Sequence, residues 1–145
     1  MFRRLMATSA TWMALPIRLG LAAVMIGHGS QKVLGVFGGP GFKEFSSGNT
    51  PFTFMRPTWL WLGAAALSEF LGGILVGLGF LTRVGAFFIA CTMLTAVAGV
   101  HWPKGFFGAN GGYEYPMVLA AMALGLLISG GGAVSVDYAM AGRRR

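Results

Sequence analysis

The feature that most constrains this chain is a set of four long apolar stretches, at about 16–34, 58–80, 84–102 and 115–132. Each lies close to the roughly 20 residues that a helix needs to cross a hydrocarbon core. Backbone N–H and C=O groups find no water inside lipid and must pair within the segment, so helices are expected. Composition points the same way. Hydrophobic side chains make up 55% of the 145 residues, and only 10% are charged. With glycine counted in place of tyrosine the apolar share is roughly 70%, against about 45–50% in an ordinary soluble domain. So few charges cannot cover the surface of a soluble domain of this size, which excludes a soluble globular enzyme. So apolar a chain also does not stay disordered. The expected fold class is an all-α membrane protein, a bundle of four transmembrane helices forming a single domain over 1–145.

Local signals support these boundaries. Pro16 and Pro116 stand where a first helical turn tolerates proline, and Arg56-Pro57-Thr58 reads as a helix start. Arg3 and Arg4 resemble the basic opening of a secretion signal, but Arg18 interrupts its would-be apolar core. No small-x-small cleavage site precedes His28, so the first stretch is expected to remain in the mature protein.

Basic residues near the helix ends set the expected orientation. Arg3, Arg4, Arg18, Arg83, Arg143, Arg144 and Arg145 gather on one side, against Lys32, Lys43, Arg56 and Lys104 on the other. Both termini are therefore expected in the cytoplasm, with loops 36–57 and 103–113 outside. Trp59, Trp61, Trp102, Tyr113 and Tyr115 collect at the outer helix ends, as an interfacial aromatic belt does. The net charge of +7 is then a membrane charge bias. The basic residues form no stripe or recognition module, so no nucleic-acid partner is expected. The lone Cys91 excludes a disulfide framework and a cysteine metal centre, and no metal site is expected. The Gly- and Phe-rich loop 35–47 reads as folded and membrane-hugging.

Polar residues inside the spans carry the functional signal. A charge in hydrocarbon costs at least about 2.5–3.5 kcal/mol, so each one calls for a partner. His28 lies about 18 Å along the first helix from its inner end, and Lys32 one turn further out. Glu69 sits near the middle of the second helix, about 16 Å from its outer end. His101 and Glu114 mark the outer ends of the third and fourth. His28, Gln31 and Lys32 share one helix face, whereas Glu69 lies among Ala65, Ala66, Gly72, Gly73 and Gly77, a face suited to close helix approach. Thr92, Thr95 and Gly99 share a face of the third helix that suits interhelical hydrogen bonding.

Glu69 and His28 are the candidates for proton transfer. His28, Gln31, Lys32, His101, Asn110 and Glu114 are the candidates for holding a ligand. His28, Lys32, Glu69, His101 and Glu114 are expected to converge on one outer-half pocket, where the Gly27/Gly29 face meets the Ala65/Gly72 face, with Asn110 and Lys104 available from the loop between the last two. Each also has a plainer role. Glu69 would pair structurally with Lys32, Arg18 or a backbone group, His101 would be an interfacial residue, and Glu114 would cap a helix N-terminus favoured by the dipole. Gly73-x-x-x-Gly77 is a packing face with no chemistry implied.

The run Arg18-Leu19-Gly20 to His28-Gly29-Ser30-Gln31-Lys32, followed by Gly38-Gly39-Pro40-Gly41, resembles the opening of DoxX-type membrane proteins. Glu69-Phe70-Leu71-Gly72-Gly73 and Gly79-Phe80-Leu81-Thr82-Arg83 are similar to the family's second-helix signature and turn. His101, Gly105-Phe106-Phe107 and Asn110-Gly111-Gly112-Tyr113-Glu114-Tyr115-Pro116 resemble its third-loop signature, and Ser135-Val136-Asp137 its ending. The ordered set spans residues 17–138. The resemblance implies a four-helix, multi-pass protein of a bacterial-type inner membrane. Members include a subunit of archaeal terminal quinol oxidase and thiosulfate:quinone oxidoreductase, and membrane partners of other redox enzymes.

The first functional expectation is an integral inner-membrane subunit associated with a quinone-linked redox or electron-transfer complex. Its partners would be the bilayer and other proteins of that complex. Its cofactor would be a quinone, with none covalently bound. His28 and Lys32 would donate hydrogen bonds to the quinone head while Glu69 relays protons. A haem would need His28 and His101 as axial ligands, at depths that differ by several ångströms, and is disfavoured. Two alternatives stand beside this expectation: a non-enzymatic accessory or assembly subunit packed on a larger membrane complex, and a small transporter for an anion or neutral solute. No Cys-x-x-Cys, dinucleotide fingerprint or P-loop is present.

Overall fold

In the computed structural model, which describes residues 6–142, every regular element is helical. The elements are α1 (Ala14–Leu34), α2 (Gly41–Ser46), α3 (Thr58–Leu78), α4 (Thr82–Ala96), α5 (Glu114–Ser129) and α6 (Val136–Gly142). α4 continues through a π-helical turn, Val97–His101, and a 3-10 turn, Trp102–Lys104, and a further 3-10 turn covers Gly108–Asn110. α3 and the continuous run Thr82–Lys104 are long and apolar enough to cross a membrane by length and composition. α1 has 21 residues but carries Arg18, His28, Gln31 and Lys32, and α5 has 16 residues. α1, α3, α4 and α5 are the four main helices expected from the sequence.

Glycine conformations account for two shifted boundaries. The second stretch, expected to reach 80, stops at Leu78 because Gly79 turns left-handed at φ 66°. The Phe80 N–H then reaches back to the Leu75 carbonyl at 3.0 Å, closing the helix end. The fourth, expected to run to 132 or beyond, stops at Ser129 because Gly130 and Gly132 both adopt φ 78° and reverse the chain.

α1 packs against α3, α3 against α4, and α4 against α5, while the seam between α1 and α5 is sparse. A Cβ at Gly29 would stand 2.5 Å from the Phe70 backbone, one at Gly73 2.9 Å from Met25 Cβ, and one at Gly77 3.2 Å from Ala22 Cβ. These glycines let α1 and α3 cross nearly backbone to backbone. This corrects the expected Gly27/Gly29 to Ala65/Gly72 contact. Neighbouring helical residues point about 100° apart, so Gly73 serves α1 while Gly72 serves α4, where a Cβ would meet the Gly85 carbonyl at 3.2 Å. Gly27 meets nothing within 4 Å. Ser68 and Thr92 share a hydrogen bond between α3 and α4, whereas Thr95 bonds within its own helix to the Cys91 carbonyl. Gly99 lies under Pro51 and Phe52. Leu21, Met25, Val76, Ile89, Leu119 and Leu126 belong to the apolar core.

One end of the bundle is closed by charged side chains that cap helices. Arg18, only 2% exposed, donates from Nε to the Val76 carbonyl (2.8 Å) and from Nη2 to that of Gly77 (2.7 Å). Its Nη1 serves the carbonyls of Gly131 (2.9 Å) and Val134. Arg18, expected as an orientation charge and as one possible partner for Glu69, does not reach Glu69 but binds carbonyls at the C-terminus of α3 and in the turn after α5. Arg83 does the same for Leu127 and Ile128 at the end of α5, both at 2.8 Å. Asp137 accepts from the Leu81 and Thr82 N–H groups (2.8 and 2.9 Å) and from the Thr82 hydroxyl (2.8 Å), capping the start of α4. The segment before α1 lies against the turn after α5: the Ala133 N–H donates to the Thr11 carbonyl at 2.9 Å and the Gly132 N–H to the Thr8 hydroxyl at 2.6 Å. Both ends of the described chain therefore lie at this terminal end of the bundle, opposite the loop end formed by 35–57 and 103–113. Arg3, Arg4, Arg143, Arg144 and Arg145 lie outside the described residues.

Candidate functional site

The sequence-selected polar residues all lie toward the loop end, where the structure distributes them over three places. The first is an ion pair between α1 and α3. Lys32 Nζ lies 2.6 Å from both carboxylate oxygens of Glu69, which is 3% exposed against 25% for the lysine side chain. The pair forms because Gly29 and Gly73 draw the two helices together, leaving Lys32 one turn beyond the closest contact and able to reach across. α2 packs on both α1 and α3, and its Phe45 ring lies 5.2 Å from the Lys32 ammonium. With both oxygens engaged and a ring over the cation, the desolvation cost of each charge is offset by the other.

The second place is an open groove of about 270 Å³ at the sparse α1/α5 seam, lined by Ala23, Val24, Gly27, His28, Gln31, Phe37 and Tyr115. His28 is exposed into it and meets the Tyr115 ring edge-on, with ring centres 6.2 Å apart. Lys32 lies one helical turn beyond His28 on α1, so the groove and the ion pair flank the same stretch of that helix. The Gln31 amide donates to the Phe37 carbonyl at 3.3 Å and holds the loop at the rim. Phe37 itself has φ 53°, a left-handed conformation that costs a bulky residue about 1–3 kcal/mol. His28 and Lys32, which share a helix face, thus splay to opposite sides: one into the groove, the other onto α3.

The third place is the loop 105–114. His101 Nδ1 lies 2.7 Å from the Gly111 carbonyl, and the Glu114 carboxylate accepts the Gly108 N–H at 2.6 Å. The Trp102 and Tyr113 rings stack at 4.9 Å. His101 and Glu114 are thereby held by loop backbone, and Asn110 is exposed on the same loop. The structure brings Lys32 and Glu69 together, and His28 and Gln31 together. It gathers His101, Asn110 and Glu114 around the loop between α4 and α5, apart from both. Among the described residues no group of three or more His, Cys, Asp or Glu side chains is placed to hold a metal ion.

Chemically, the groove offers an imidazole and a phenol above an apolar floor, and no Lys, Arg, Asp or Glu lines it. Imidazole and phenol can each donate a hydrogen bond to a carbonyl oxygen. That donor set and that floor suit an uncharged, largely apolar molecule with acceptor oxygens. Tyr115 is the residue that sequence reasoning assigned only to the aromatic belt; its position beside Glu114 at the start of α5 was the available signal. Phe37 and Phe45 were not singled out, because their roles depend on how the first loop folds back.

A bundle of four main helices, with α3 and the run Thr82–Lys104 each long and apolar enough to cross a membrane, is the architecture of an all-α membrane protein. The chain matches the DoxX family over residues 13–102, more than half its length, and belongs to that family. The matched region holds His28, Gln31, Lys32, Glu69 and His101, while α5 with Tyr115 lies beyond it. No curated protein and no solved structure matches the chain.

Proposed function

We propose that this DoxX-family protein is an inner-membrane subunit of a quinone-linked redox or electron-transfer complex, and that it binds the quinone in the groove between α1 and α5. The observation that carries this is the groove itself: open at the sparse seam, lined by uncharged side chains, and furnished with His28 and Tyr115 at its loop end. His28 and Tyr115 donate to the quinone carbonyls, and the apolar floor receives the rest of the ring. Glu69, held by Lys32 across α1 from the groove, is the carboxylate assigned to exchange protons with the head. Both termini face the cytoplasm, which puts the groove in the outer half of the membrane.

A second reading, a non-enzymatic accessory subunit packed on a larger membrane complex, is favoured by the completeness of the Lys32–Glu69 pair, which has the geometry of a structural tie. A transport role draws no support from Arg18 or Glu69, since each is satisfied by protein partners. Purification from native membranes in mild detergent separates the first two. Quinone extracted with the protein, together with redox subunits and an absorption change on reduction, is the expected result. Stable co-purification with a complex but without quinone would assign the accessory role instead.

A further inference from the structure

The two glycines beside His28 differ in their surroundings. Gly29 is closed off by the Phe70 backbone, whereas a side chain at Gly27 would start in open space, with nothing within 4 Å of its Cβ. That space is the groove, whose α1 lining follows a single helical stripe from Ala23 to Gln31. The stripe is graded. Ala23 and Val24, toward the middle of the bundle, are apolar, and His28, Gln31 and Tyr115, toward the loop end, carry the polar atoms. The Gln31 amide is engaged at the loop rim and the Lys32 ammonium is held by Glu69, which leaves His28 and Tyr115 to face a ligand head. An anionic headgroup finds no free cation in this lining, while an uncharged ring with carbonyl acceptors finds two donors.

The geometry points to Gly27 as the residue that makes room for the quinone, with the head over Gly27 against the His28 and Tyr115 edge pair and the chain running along Val24 and Ala23 toward the bundle middle. This rests on the quinone-linked function proposed above and adds to it an orientation and a residue that sets the space. A volume of about 270 Å³ lies just under the roughly 300–1,000 Å³ of common small-molecule sites, so it holds the ring and the first carbons of its chain while the remainder lies in lipid.

The test compares the decylubiquinone retained per chain after gel filtration in mild detergent for the wild type, Gly27→Ala, Gly27→Leu and Gly125→Leu. Gly125 on α5 also has nothing within 4 Å of its Cβ but does not line the groove, so it carries the same added bulk elsewhere. Both leucine variants are expected to unfold at temperatures no lower than the wild type, since leucine favours a helix over glycine and neither Cβ meets protein. Gly27→Leu is expected to retain at least tenfold less quinone, Gly27→Ala an intermediate amount, and Gly125→Leu as much as the wild type. Equal retention by Gly27→Leu and the wild type would overturn the assignment of Gly27 while leaving quinone binding in place. Equal loss in both leucine variants would overturn it as well. A wild-type chain that retains none would overturn quinone binding and the groove assignment together.

Discussion

At the scale of single residues, Gly27 and Gly29 show how little sequence spacing says about what a side chain meets. The sequence marks both as small, and only the packing of α1 on α3 assigns one to a helix crossing and the other to a groove. Gly29→Ala would drive a methyl group into the Phe70 backbone and is expected to destabilise by about 1–3 kcal/mol, the usual cost of overpacking. Gly27→Ala is expected to be neutral or stabilising by up to about 1 kcal/mol. Thermal unfolding in detergent of the two variants, side by side, checks the difference. Glu69 was legible as a carboxylate facing a neighbouring helix, because periodicity fixes a residue's face on its own helix. Its choice of Lys32 over Arg18 was not legible, because periodicity does not fix which neighbour, or which end of it, that face meets. Removing one member of a buried pair costs about 3–5 kcal/mol, and the partial exposure of Lys32 reduces that figure here. Glu69→Gln is therefore expected to lower the unfolding temperature, and Lys32→Met combined with Glu69→Leu to restore much of it. A Glu69→Gln variant with unchanged stability and lost redox activity would assign the carboxylate to proton transfer alone.

At the scale of elements, the four main helices were readable because length and hydropathy are properties of a contiguous segment. The short helices α2 and α6 were not, since neither is long enough to be stable alone and each depends on what it covers. The π-helical turn Val97–His101 was also hidden, as one extra residue per turn leaves an apolar run unchanged. α6 illustrates the dependence on tertiary contacts. Its Asp137, noted in the sequence only within the Ser135-Val136-Asp137 ending, is 1% exposed and caps the start of α4 through three hydrogen bonds. A lost N-terminal cap costs about 0.5–2 kcal/mol. Asp137→Ala leaves three donors open at a buried position and is expected to reach or exceed the top of that range. Asp137→Asn keeps one acceptor oxygen and is expected to cost less. Unfolding of both variants, with hydrogen exchange at Leu81 and Thr82, checks the order; equal stability of Asp137→Ala and the wild type would remove the cap from the account.

At the scale of the whole molecule, the two described chain ends share one end of the bundle, tied by the Thr11–Ala133 hydrogen bond, so a single choice orients every helix. Among the described residues the count favours the loop end, four cations to two. Arg18 and Arg83 stand at the terminal end, against Lys32, Lys43, Arg56 and Lys104 at the loop end. Folding also removes some of these charges from play, since Arg18 is buried on carbonyls and Lys32 is neutralised by Glu69. Insertion, however, reads Lys and Arg near helix ends before these partners form. The five terminal arginines, Arg3, Arg4, Arg143, Arg144 and Arg145, are therefore expected to tip the balance toward cytoplasmic termini. A cytoplasm-dependent reporter fused after Arg145 is expected to be active, and a periplasm-dependent one silent. Replacing all five arginines with glutamine leaves the loop-end cations in the majority and is expected to produce a mixed or inverted population, with both reporters active. Retention of a single orientation by that variant would transfer the decision to the remaining charges and to the order in which the apolar α3 and α4 insert.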